Sequence, residues 1–317
     1  MSARVTVFSP SPALRVVVEP TTAGGVEVHL HPGGQGTWVA RMAARLGADV
    51  TLCTPVGGEA GTALTALLAE EGLRTCAVPT RRATATVVLD HRGRGGSPDA
   101  EQGDRVAEST STLTRHEVDD LYTATLTAAL DSAVLVLTGP EHDDVLPADT
   151  YRRLAEDVGG QGVLVVADLS GAPQEQALAG GVDLLKAAHD ELPGEEGEDE
   201  VDAADTEEVL RRARRLQGAG AREVLVTRSA EPPLLLTAGD GAHRVDAPRF
   251  EAVQFRGAGD SMSGAVAARL ARGDTLLDAV RTAAAAGALN VTRQGYGTGH
   301  GEAVEVVARR VRTARLA

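Results

Sequence analysis

Aromatic residues are scarce in this chain of 317 residues, which has one tryptophan, three tyrosines and three phenylalanines. So few rings leave little surface for stacking nucleic-acid bases, and a formal net charge of −14 argues further against nucleic acid or an anionic membrane as partner. No apolar run approaches the ~20 residues that span a bilayer, and Met1–Arg4 leads straight into a strand-like Val5–Phe8 without the apolar segment of a secretory signal. We therefore expect a cytoplasmic protein with neither nucleic-acid nor membrane partners.

Cysteine is nearly absent as well, since only Cys53 and Cys76 occur. Both lie in apolar surroundings at a spacing that matches no metal motif, which favours buried thiols over a disulfide. His29 and His31 share one face of a strand-like run but lack a third ligand, which favours exposed residues over a metal centre. The acidic run 190–208 has no ligand spacing either, and this pattern is typical of a solvated linker or helix face.

Apolar residues are plentiful, at 43% of the chain, and they form alternating strand-like and helix-like segments. Strand-like runs such as Val50–Thr54 and Ala133–Leu137 alternate with amphipathic helices, one of which begins with the capping-box pair Thr114 and Glu117. Such alternation predicts a mainly parallel sheet covered by helices on both faces. We therefore predict a single three-layer α/β domain that spans residues 1–317.

Two regions depart from this alternation. Residues 11–34 contain two β-rich runs around a Gly24-Gly25 turn, and residues 82–110 contain the strand-like Thr86–Leu89 followed by a polar stretch without periodicity. We predict that these regions form a small β-sheet lid. Pairing with a second copy would cover the exposed edges of such a lid, so we expect a homodimer.

The strongest chemical signal lies near the C-terminus, where Gly257-Ala258-Gly259-Asp260 opens an amphipathic helix. Backbone N–H groups at a helix start lack intrahelical partners, and the positive end of the helix dipole adds to them, which suits a phosphate or a developing oxyanion. Asp260 could accept a proton there. A tight turn capped by Asp260 accounts for the same residues without any chemistry. The Walker loop, the Rossmann fingerprint and the protein-kinase catalytic loop are absent from the sequence.

The stretch Gly257–Met262 resembles the signature of the ribokinase-like (PfkB) carbohydrate kinases, and so do the upstream segments Gly33–Gly36 and Ser9–Leu14. The similarity is closest to the 1-phosphofructokinase and tagatose-6-phosphate kinase branch and covers nearly the whole chain, including Asp183–Lys186 and Asn290–Arg293. It implies a ribokinase-like fold with a mainly parallel central sheet. It also implies ATP-dependent transfer of the γ-phosphate to a hydroxyl of a sugar or sugar phosphate, with Mg²⁺ bridging the phosphates.

The resemblance also implies a role for each matched residue. Asp260 would be the general base, and the amides of Gly257, Ala258 and Gly259 would form the anion hole. Mg²⁺ would be held through ATP rather than by direct protein ligands, with Glu191 organising its waters. The residues expected on the nucleotide side are Lys186, Glu191, Thr227 and Asn290, of which Asn290 resembles part of the adenine pocket. The residues expected on the acceptor side are Arg15, Gly34, Gln35, Gly36 and Trp38.

The acceptor side departs from the family pattern. Ser11 and Arg15 stand where the family has Asn and Asp, Gln35 replaces a Lys, and Trp38 replaces an Asn. A carboxylate that accepts hydrogen bonds from a sugar has thus become a cation that cannot. Trp38 is compatible with stacking on an acceptor ring or with packing under the lid, and Arg15 with binding an anion or with an exposed position on the lid.

The nucleotide side has its own departures. Ala188 replaces the Asn of the Asn-x-x-Glu motif, the segment Thr227–Pro232 lacks the two glycines of the family loop, and Phe255 replaces a Thr. Three functions therefore stay open. The chain could be a kinase of a sugar or sugar phosphate, a kinase of another hydroxylated metabolite, or an inactive paralogue that acts as a binding or regulatory protein.

Overall fold

The computed structural model describes residues 3–22, 24–92, 104–194, 201–239, 241–253, 255–293 and 296–316. Its strands are β1 (Arg4–Phe8), β2 (Ala13–Pro20), β3 (Val26–Gly33), β4 (Asp49–Val56), β5 (Arg74–Pro79), β6 (Ala85–Asp90), β7 (Asp104–Ala107), β8 (Val134–Thr138), β9 (Leu164–Asp168), β10 (Val182–Ala188), β11 (Ala221–Arg228), β12 (Glu231–Thr237), β13 (Gly241–Asp246) and β14 (Arg312–Arg315). Its helices are α1 (Gln35–Arg45), α2 (Gly58–Glu70), α3 (Arg115–Leu130), α4 (Asp149–Gly159), α5 (Gly171–Gly180), α6 (Thr206–Ala219), α7 (Ala258–Ala271), α8 (Leu276–Asn290) and α9 (Gly301–Ala308).

The main sheet has ten strands in the order β14-β13-β12-β11-β10-β9-β8-β1-β4-β5. All neighbouring pairs from β11 to β5 are parallel, whereas β12, β13 and β14 extend the sheet in antiparallel fashion. The predicted mainly parallel sheet is confirmed. Because parallel strands run in one direction, the carboxyl ends of seven of them meet at one edge, which is where α/β proteins place their ligands.

Alternate side chains of each central strand enter two separate cores. In β8, for example, Leu135 and Leu137 pack on the side of α3 to α6, whereas Val134 and Val136 pack on the side of α1, α7 and α8. Each of these four side chains is 0% exposed. Helices therefore cover both faces, which gives the three predicted layers.

Helices α1 and α7 pack with their backbones in close approach. A Cβ atom at Gly264 would lie 2.3 Å from the carbonyl oxygen of Val39, so no larger residue fits between these helices. Both helices also begin at a glycine with positive φ, 100° at Gly34 and 78° at Gly257, a conformation that other residues rarely adopt. The starts of the two helices are thus held in a fixed relation.

A separate small sheet contains β2, β3, β6 and β7 in the order β3-β2-β6-β7. Its strands fall within the two regions predicted to form a lid, although residues 93–103 of the second region lie outside the described residues. Strands β2 and β6 are parallel and the other pairs antiparallel. One face carries apolar side chains that are open to solvent, including Val28, which is 60% exposed, and Val106, which is 68% exposed.

Several local predictions can be compared with the structure. The Thr114 and Glu117 capping box is present at the start of α3. Cys53 and Cys76 are free and lie opposite each other on β4 and β5, but Cys76 is half-buried rather than buried. His29 is half-buried rather than exposed and stacks on the exposed His31 with ring centroids 6.1 Å apart. Part of the acidic run, residues 195–200, lies outside the described residues.

Membrane-spanning helices and metal-binding clusters are both absent from the described residues. None of their helices is long and apolar enough to cross a bilayer. In the same part of the chain, no group of three or more His, Cys, Asp and Glu side chains could hold a metal ion.

Candidate active site

Two buried charges lie near the carboxyl edge of the main sheet. Asp168 is the last residue of β9 and stands opposite Lys186 of β10, and their exposures are 3% and 7%. Lys186 Nζ donates to Asp168 Oδ1 at 2.9 Å, and Ser263 Oγ of α7 donates to Asp168 Oδ2 at 2.5 Å. Asp168 thereby joins two strands to the helix that starts beside them. A buried carboxylate needs such partners, because an unpaired one is strongly destabilising.

The start of α7 meets this pair directly. A Cβ at Gly259 would lie 2.9 Å from Lys186 Nζ, so the ammonium sits against the first turn of the helix. A Cβ at Gly257 would lie 2.6 Å from Tyr296 Cδ1, and the φ of 78° also favours glycine. The first intrahelical bond runs from Ser261 N to Gly257 O, so the preceding amides lack intrahelical acceptors. This arrangement offers amide donors and one ammonium to an anion.

Asp260, in the same turn, is half-buried. Its pKa is raised to about 7, mainly by burial and also by the charges of Asp168 and Glu191, whereas Lys186 and a hydrogen bond from Gln35 act in the lowering direction. Burial alone would lower the pKa of Lys186, but the charges of Asp168, Glu191 and Asp260 raise it, so Lys186 stays protonated. A carboxyl with a pKa near neutrality is suited to accept a proton from a hydroxyl.

Gln35 connects this centre to the first glycine-rich helix start. Its Oε1 accepts from Gly139 N at 2.8 Å, and its Nε2 donates to the carbonyl oxygen of Asp168 at 3.3 Å. The flanking glycines permit close approach: a Cβ at Gly34 would lie 2.6 Å from Ser11 O, and one at Gly36 would lie 2.3 Å from the Cβ of Ser9. The starts of α1 and α7 therefore face the same site.

A cleft of about 210 Å³ extends from Gln35 to the small sheet. Trp38 is part of its lining, and the rings of Trp38 and Tyr296 stack 4.2 Å apart at an angle of 18°. The guanidinium of Arg15 lies over both rings, 4.6 Å from the centroid of Tyr296 and 5.6 Å from that of Trp38. The cleft is lined by Ser11, Ala13, Arg15, Gly34, Gln35, Trp38, Val87, Arg105, Thr110, Gly139, Pro140, Glu141 and Arg256.

This geometry describes the surroundings of Arg15 and Trp38, whose acceptor roles stay predictions. Arg15 is only 9% exposed, so it is not an exposed residue of the small sheet. Trp38 packs on Tyr296 and also lines the cleft. Both residues therefore shape the space in which an acceptor would lie.

The predicted nucleotide-side residues are divided between two places. Glu191 ends a 3-10 turn, His189–Glu191, where its Oε2 accepts from Ala188 N at 2.7 Å. It lies close enough to Asp260 and Lys186 to affect the pKa of both. Thr227 is half-buried near the end of β11, opposite Ala188.

The turn that follows Thr227 is tight. Ser229 adopts a φ of 50°, which is unusual for a residue other than glycine. Arg228, at 3% exposure, donates to Pro232 O at 2.8 Å, to Ala203 O at 3.0 Å and to Thr206 Oγ1 at 2.9 Å. Arg228 therefore fixes the segment Thr227–Pro232, which lacks the two glycines of the family loop.

Asn290 does not line an open pocket in this structure. It is 0% exposed; its Nδ2 donates to Arg256 O at 2.9 Å, and its Oδ1 accepts from Ser261 Oγ at 3.0 Å and Gly297 N at 3.2 Å. Its amide braces the loop before α7, and its expected contribution to an adenine pocket stays a prediction.

Comparison with known proteins identifies the family. The pfkB family carbohydrate kinase profile matches residues 10–301. The chain belongs to the pfkB family of carbohydrate kinases. It is similar to the ATP-dependent 6-phosphofructokinase isozyme 2 of Mycobacterium tuberculosis (31% identity over 90% of this chain and 83% of that protein). It is also similar to the 1-phosphofructokinase of Bacillus subtilis (26% identity over 92% of this chain and 93% of that protein).

Solved structures share the fold. A phosphofructokinase-2 from Escherichia coli, in complex with potassium, superimposes with a TM-score of 0.80 at 23% identity and covers 98% of this chain and 99% of its own. A ribokinase from Arabidopsis thaliana, complexed with ribose and ATP, gives a TM-score of 0.70 at 18% identity and covers 98% and 99%. The ribokinase-like fold is therefore confirmed, and as a pfkB family member the chain is an enzyme that phosphorylates a sugar.

Four residues of this pfkB kinase site had no role assigned from the sequence. Asp168 had a usable signal, because it ends a buried parallel strand, where ligand-binding side chains gather. Ser263 and Tyr296 had none, since neither belongs to a pattern that indicates a site. Arg41, 7% exposed, donates to the carbonyl oxygen of Tyr296 at 2.7 Å and to Glu71 at 2.7 Å, so it holds the backbone of Tyr296 in place.

Proposed function

We propose that this protein is an ATP-dependent kinase that transfers the γ-phosphate to a hydroxyl of a sugar or sugar phosphate. The observation that carries the proposal is the position of Asp260, with a pKa raised to about 7, in the first turn of α7 beside the Lys186 ammonium. A proton acceptor and a set of anion donors are thereby adjacent, as phosphoryl transfer to a hydroxyl requires.

In this mechanism, Asp260 accepts the proton of the acceptor hydroxyl while the hydroxyl oxygen attacks the γ-phosphorus of ATP. The bond between that phosphorus and the β–γ bridging oxygen breaks, and ADP leaves. The amides of Gly257, Ala258 and Gly259 stabilise the charge on the transferred group, and Lys186 supplies a permanent positive charge next to them. Proton transfer of this kind contributes about 10²–10⁴-fold to the rate.

A triphosphate fits the residues at this helix start. The glycine positions leave no Cβ between the backbone and a phosphate, and Lys186 is held protonated by its carboxylate neighbours. A magnesium ion bound with ATP would neutralise phosphate charge and orient the γ-phosphate. Both oxygens of Asp168 are already engaged, so Glu191 is the nearby carboxylate suited to the ion, and we assign it a role through the water molecules of the ion.

The acceptor is assigned as a sugar or sugar phosphate because the similar proteins are named as 6- and 1-phosphofructokinases. The alternative is another hydroxylated metabolite, and it is favoured by the Arg15, Trp38 and Tyr296 stack at the acceptor end. A non-catalytic binding protein is favoured only by the Arg228-fixed turn and the enclosed Asn290.

A turnover screen tests the assignment. We would measure ADP formation with ATP and Mg²⁺ over sugars, sugar phosphates and nucleosides, using Asp260→Asn as the test variant. Asp120→Asn, an exposed aspartate of α3, is the matched control. Turnover that is lost only in Asp260→Asn supports the proposal, whereas equal turnover in both variants contradicts the base assignment. Failure of the wild type to bind ATP in calorimetry supports the non-catalytic alternative.

We further propose that the small sheet is a lid and that two copies of the chain pair through it. The side chains that share its open face are Val16, Val18, Val26, Val28, Leu30, Val88 and Val106. A second copy would cover this face, since exposed apolar patches of this kind mark interfaces. The expected result is a dimer in light scattering that becomes a monomer in Val28→Glu, while Glu27→Gln on the opposite face stays dimeric. A monomeric wild type refutes the proposal. The cytoplasmic location expected from the sequence stays a prediction.

A further inference from the structure

The two cysteines of the chain stand side by side on neighbouring strands of the main sheet. Cys53 of β4 is the register partner of Cys76 of β5, and both are free thiols. Neighbouring strands lie about 4.8 Å apart, and disulfides join residues whose Cα atoms are about 4.4–6.8 Å apart. The reduced pair therefore already has a backbone spacing that a disulfide can bridge.

The side chains of the pair meet on one face of the sheet. Cys53 belongs to the core on the side of α3, and Cys76 packs against the same core. The Cys53 thiol is in hydrogen-bond contact with Cys76, and it also donates to the carbonyl oxygen of Ala124 in α3 at 3.9 Å. The two sulfur atoms thus lie together beneath one helix.

The two thiols differ in their access to solvent. Cys53 is 0% exposed, whereas Cys76 is half-buried and lines an open cavity of about 730 Å³. Residues of α3 and of the edge strand β5 form much of the wall of this cavity. A small solute that enters it meets the Cys76 side chain before that of Cys53.

The surroundings of Cys53 keep its sulfur protonated. Burial raises the pKa of Cys53 well above its ordinary value, and the neighbouring Cys76 raises it further, whereas a hydrogen bond with Thr125 acts in the lowering direction. Because the thiolate is the form that reacts with oxidants, Cys53 is a poor first target. Its contact with Cys76 suits it to react second, once Cys76 has been oxidised.

We propose that Cys53 and Cys76 form a reversible thiol–disulfide pair, which a peroxide oxidises at Cys76 and which Cys53 then closes. The Cys76 sulfur attacks one oxygen of hydrogen peroxide, the O–O bond breaks, and a sulfenic acid and one water form. The Cys53 sulfur next bonds to the Cys76 sulfur, the S–O bond breaks, and the oxygen leaves with the Cys53 proton as a second water. One peroxide is reduced to two waters while two thiols become one disulfide.

The pairing makes this oxidation reversible. A sulfenic acid without a neighbouring thiol reacts with more peroxide to give a sulfinic acid, which thiols do not reduce. A disulfide returns to two thiols by exchange with a reducing thiol. Cys53 therefore protects Cys76 from permanent oxidation. This chemistry uses no residue of the proposed kinase site, so either proposal can fail without the other.

Peptide mass spectrometry tests the pair directly. Trypsin places Cys53 in residues 46–74 and Cys76 in residues 75–81, and neither peptide contains methionine, which peroxide also oxidises. The whole protein is treated with hydrogen peroxide, unfolded, labelled with N-ethylmaleimide and digested. The two peptides are expected to be linked, unlabelled and lighter by two hydrogen atoms. Dithiothreitol should separate them and allow each to be labelled.

Single variants separate the roles of the two cysteines. Cys53→Ser removes the second thiol, so dimedone should trap Cys76 as a sulfenic acid, and more peroxide should give a sulfinic acid. Cys53→Ala repeats this measurement without a buried hydroxyl. Cys76→Ser leaves only the buried thiol, which should be oxidised at least about tenfold more slowly than Cys76 is in Cys53→Ser. Circular dichroism of each variant should match that of the wild type.

Four results would overturn the proposal. One is sulfinic acid at Cys76 of the wild type while Cys53 stays reduced, because Cys53 would then not close the pair. Another is a disulfide between two copies of the chain, seen as a dimer on a non-reducing gel. The third is survival of both thiols when the folded protein is exposed to peroxide. The last is oxidation of Cys53 in Cys76→Ser that is as fast as oxidation of Cys76 in Cys53→Ser.

Discussion

The transfer end and the acceptor end of the candidate site are built in different ways. At the transfer end, Asp168, Lys186 and Asp260 stand on strand ends and a helix start, so their positions are set by backbone hydrogen bonding. At the acceptor end, Arg15, Trp38 and Tyr296 hold one another through ring stacking and cation–π contacts. The first arrangement depends on main-chain geometry and the second on side-chain identity.

The ends also differ in charge. The transfer end has two buried or half-buried carboxyls around one ammonium, whereas the acceptor end has more guanidinium groups than carboxylates. We therefore expect the transfer end to tolerate few substitutions without loss of catalytic activity. Substitutions at the acceptor end should change which molecule binds and leave the chemistry intact.

Replacing the proposed base should have the largest effect on kcat. Asp260→Asn keeps the size of the side chain but cannot accept the proton, so kcat should fall by about 10²–10⁴-fold. The KM for the acceptor should change far less, because the acceptor end is intact. Steady-state kinetics with the best acceptor from the screen measure both values. A loss confined to KM would place Asp260 in binding instead.

Removing the ammonium tests how far the transfer end depends on paired charge. Lys186→Met leaves Asp168 buried without its cation, which should lower the free energy of unfolding by about 3–5 kcal/mol. Urea unfolding measures this change. Arg152→Met, which breaks the exposed pair with Glu156, is the control and should cost at most about 1 kcal/mol.

A double variant sharpens the same test. Asp168→Asn combined with Lys186→Met removes both charges and should recover part of the lost stability, since no unpaired ion remains buried. Equal destabilisation in the single and double variants would show that packing rather than charge explains the loss.

The effect of pH on kcat/KM should reflect Asp260 and should be smaller than the effects of the substitutions above. Because burial raises the pKa of Asp260 to about 7, kcat/KM should rise up to about tenfold per pH unit below 7 and level off above it. A profile that stays flat from pH 5 to 8 would contradict the raised pKa.

The contribution of Asp260 to the free energy of unfolding should change with pH in the opposite direction to kcat/KM. The folded pKa of Asp260 lies above its ordinary value of 3.8, so the fold favours the protonated form. The resulting stabilisation is fully present below about pH 4 and is lost as the pH rises through about 7. Asp260→Asn should therefore gain stability relative to the wild type at pH 8 compared with pH 5, as thermal melts at both pH values would measure.

The smallest effect is expected at the acceptor end. Trp38→Phe retains a ring against Tyr296 but loses the indole, so the acceptor KM should change by roughly 2–10-fold, the scale of aromatic contacts. The kcat value should stay within about twofold. A large loss of kcat in this variant would mean that Trp38 affects the phosphoryl-transfer step as well as acceptor binding.

The sequence revealed the transfer end better than the acceptor end, for a physical reason. A glycine-rich helix start followed by an aspartate leaves a local pattern, and so does a strand ending in Asp168. The stack of Arg15, Trp38 and Tyr296 joins residues up to 281 positions apart, and no local pattern encodes such contacts. The arginines and the tryptophan were noticed, but their mutual arrangement was not.

The fold shows the same contrast. Strands with long apolar runs and helices with clear caps were predicted within a few residues. Helix α5 was missed because Gly171–Gly180 has small residues and no strong apolar face, and β13 was missed because Gly241–Asp246 mixes charged and apolar residues at an antiparallel extension. The hydrogen bonds that enclose Asn290 join it to residues of other segments, so they could not be predicted from the local sequence.

The close contact between Gly264 and Val39 has a consequence for the rigidity of the site. It fixes the start of α1 relative to the start of α7 by main-chain contact, independently of the side chains that line the cleft. Side chains of the small sheet and of the segment after α8 can therefore be exchanged without moving the two helix starts relative to each other.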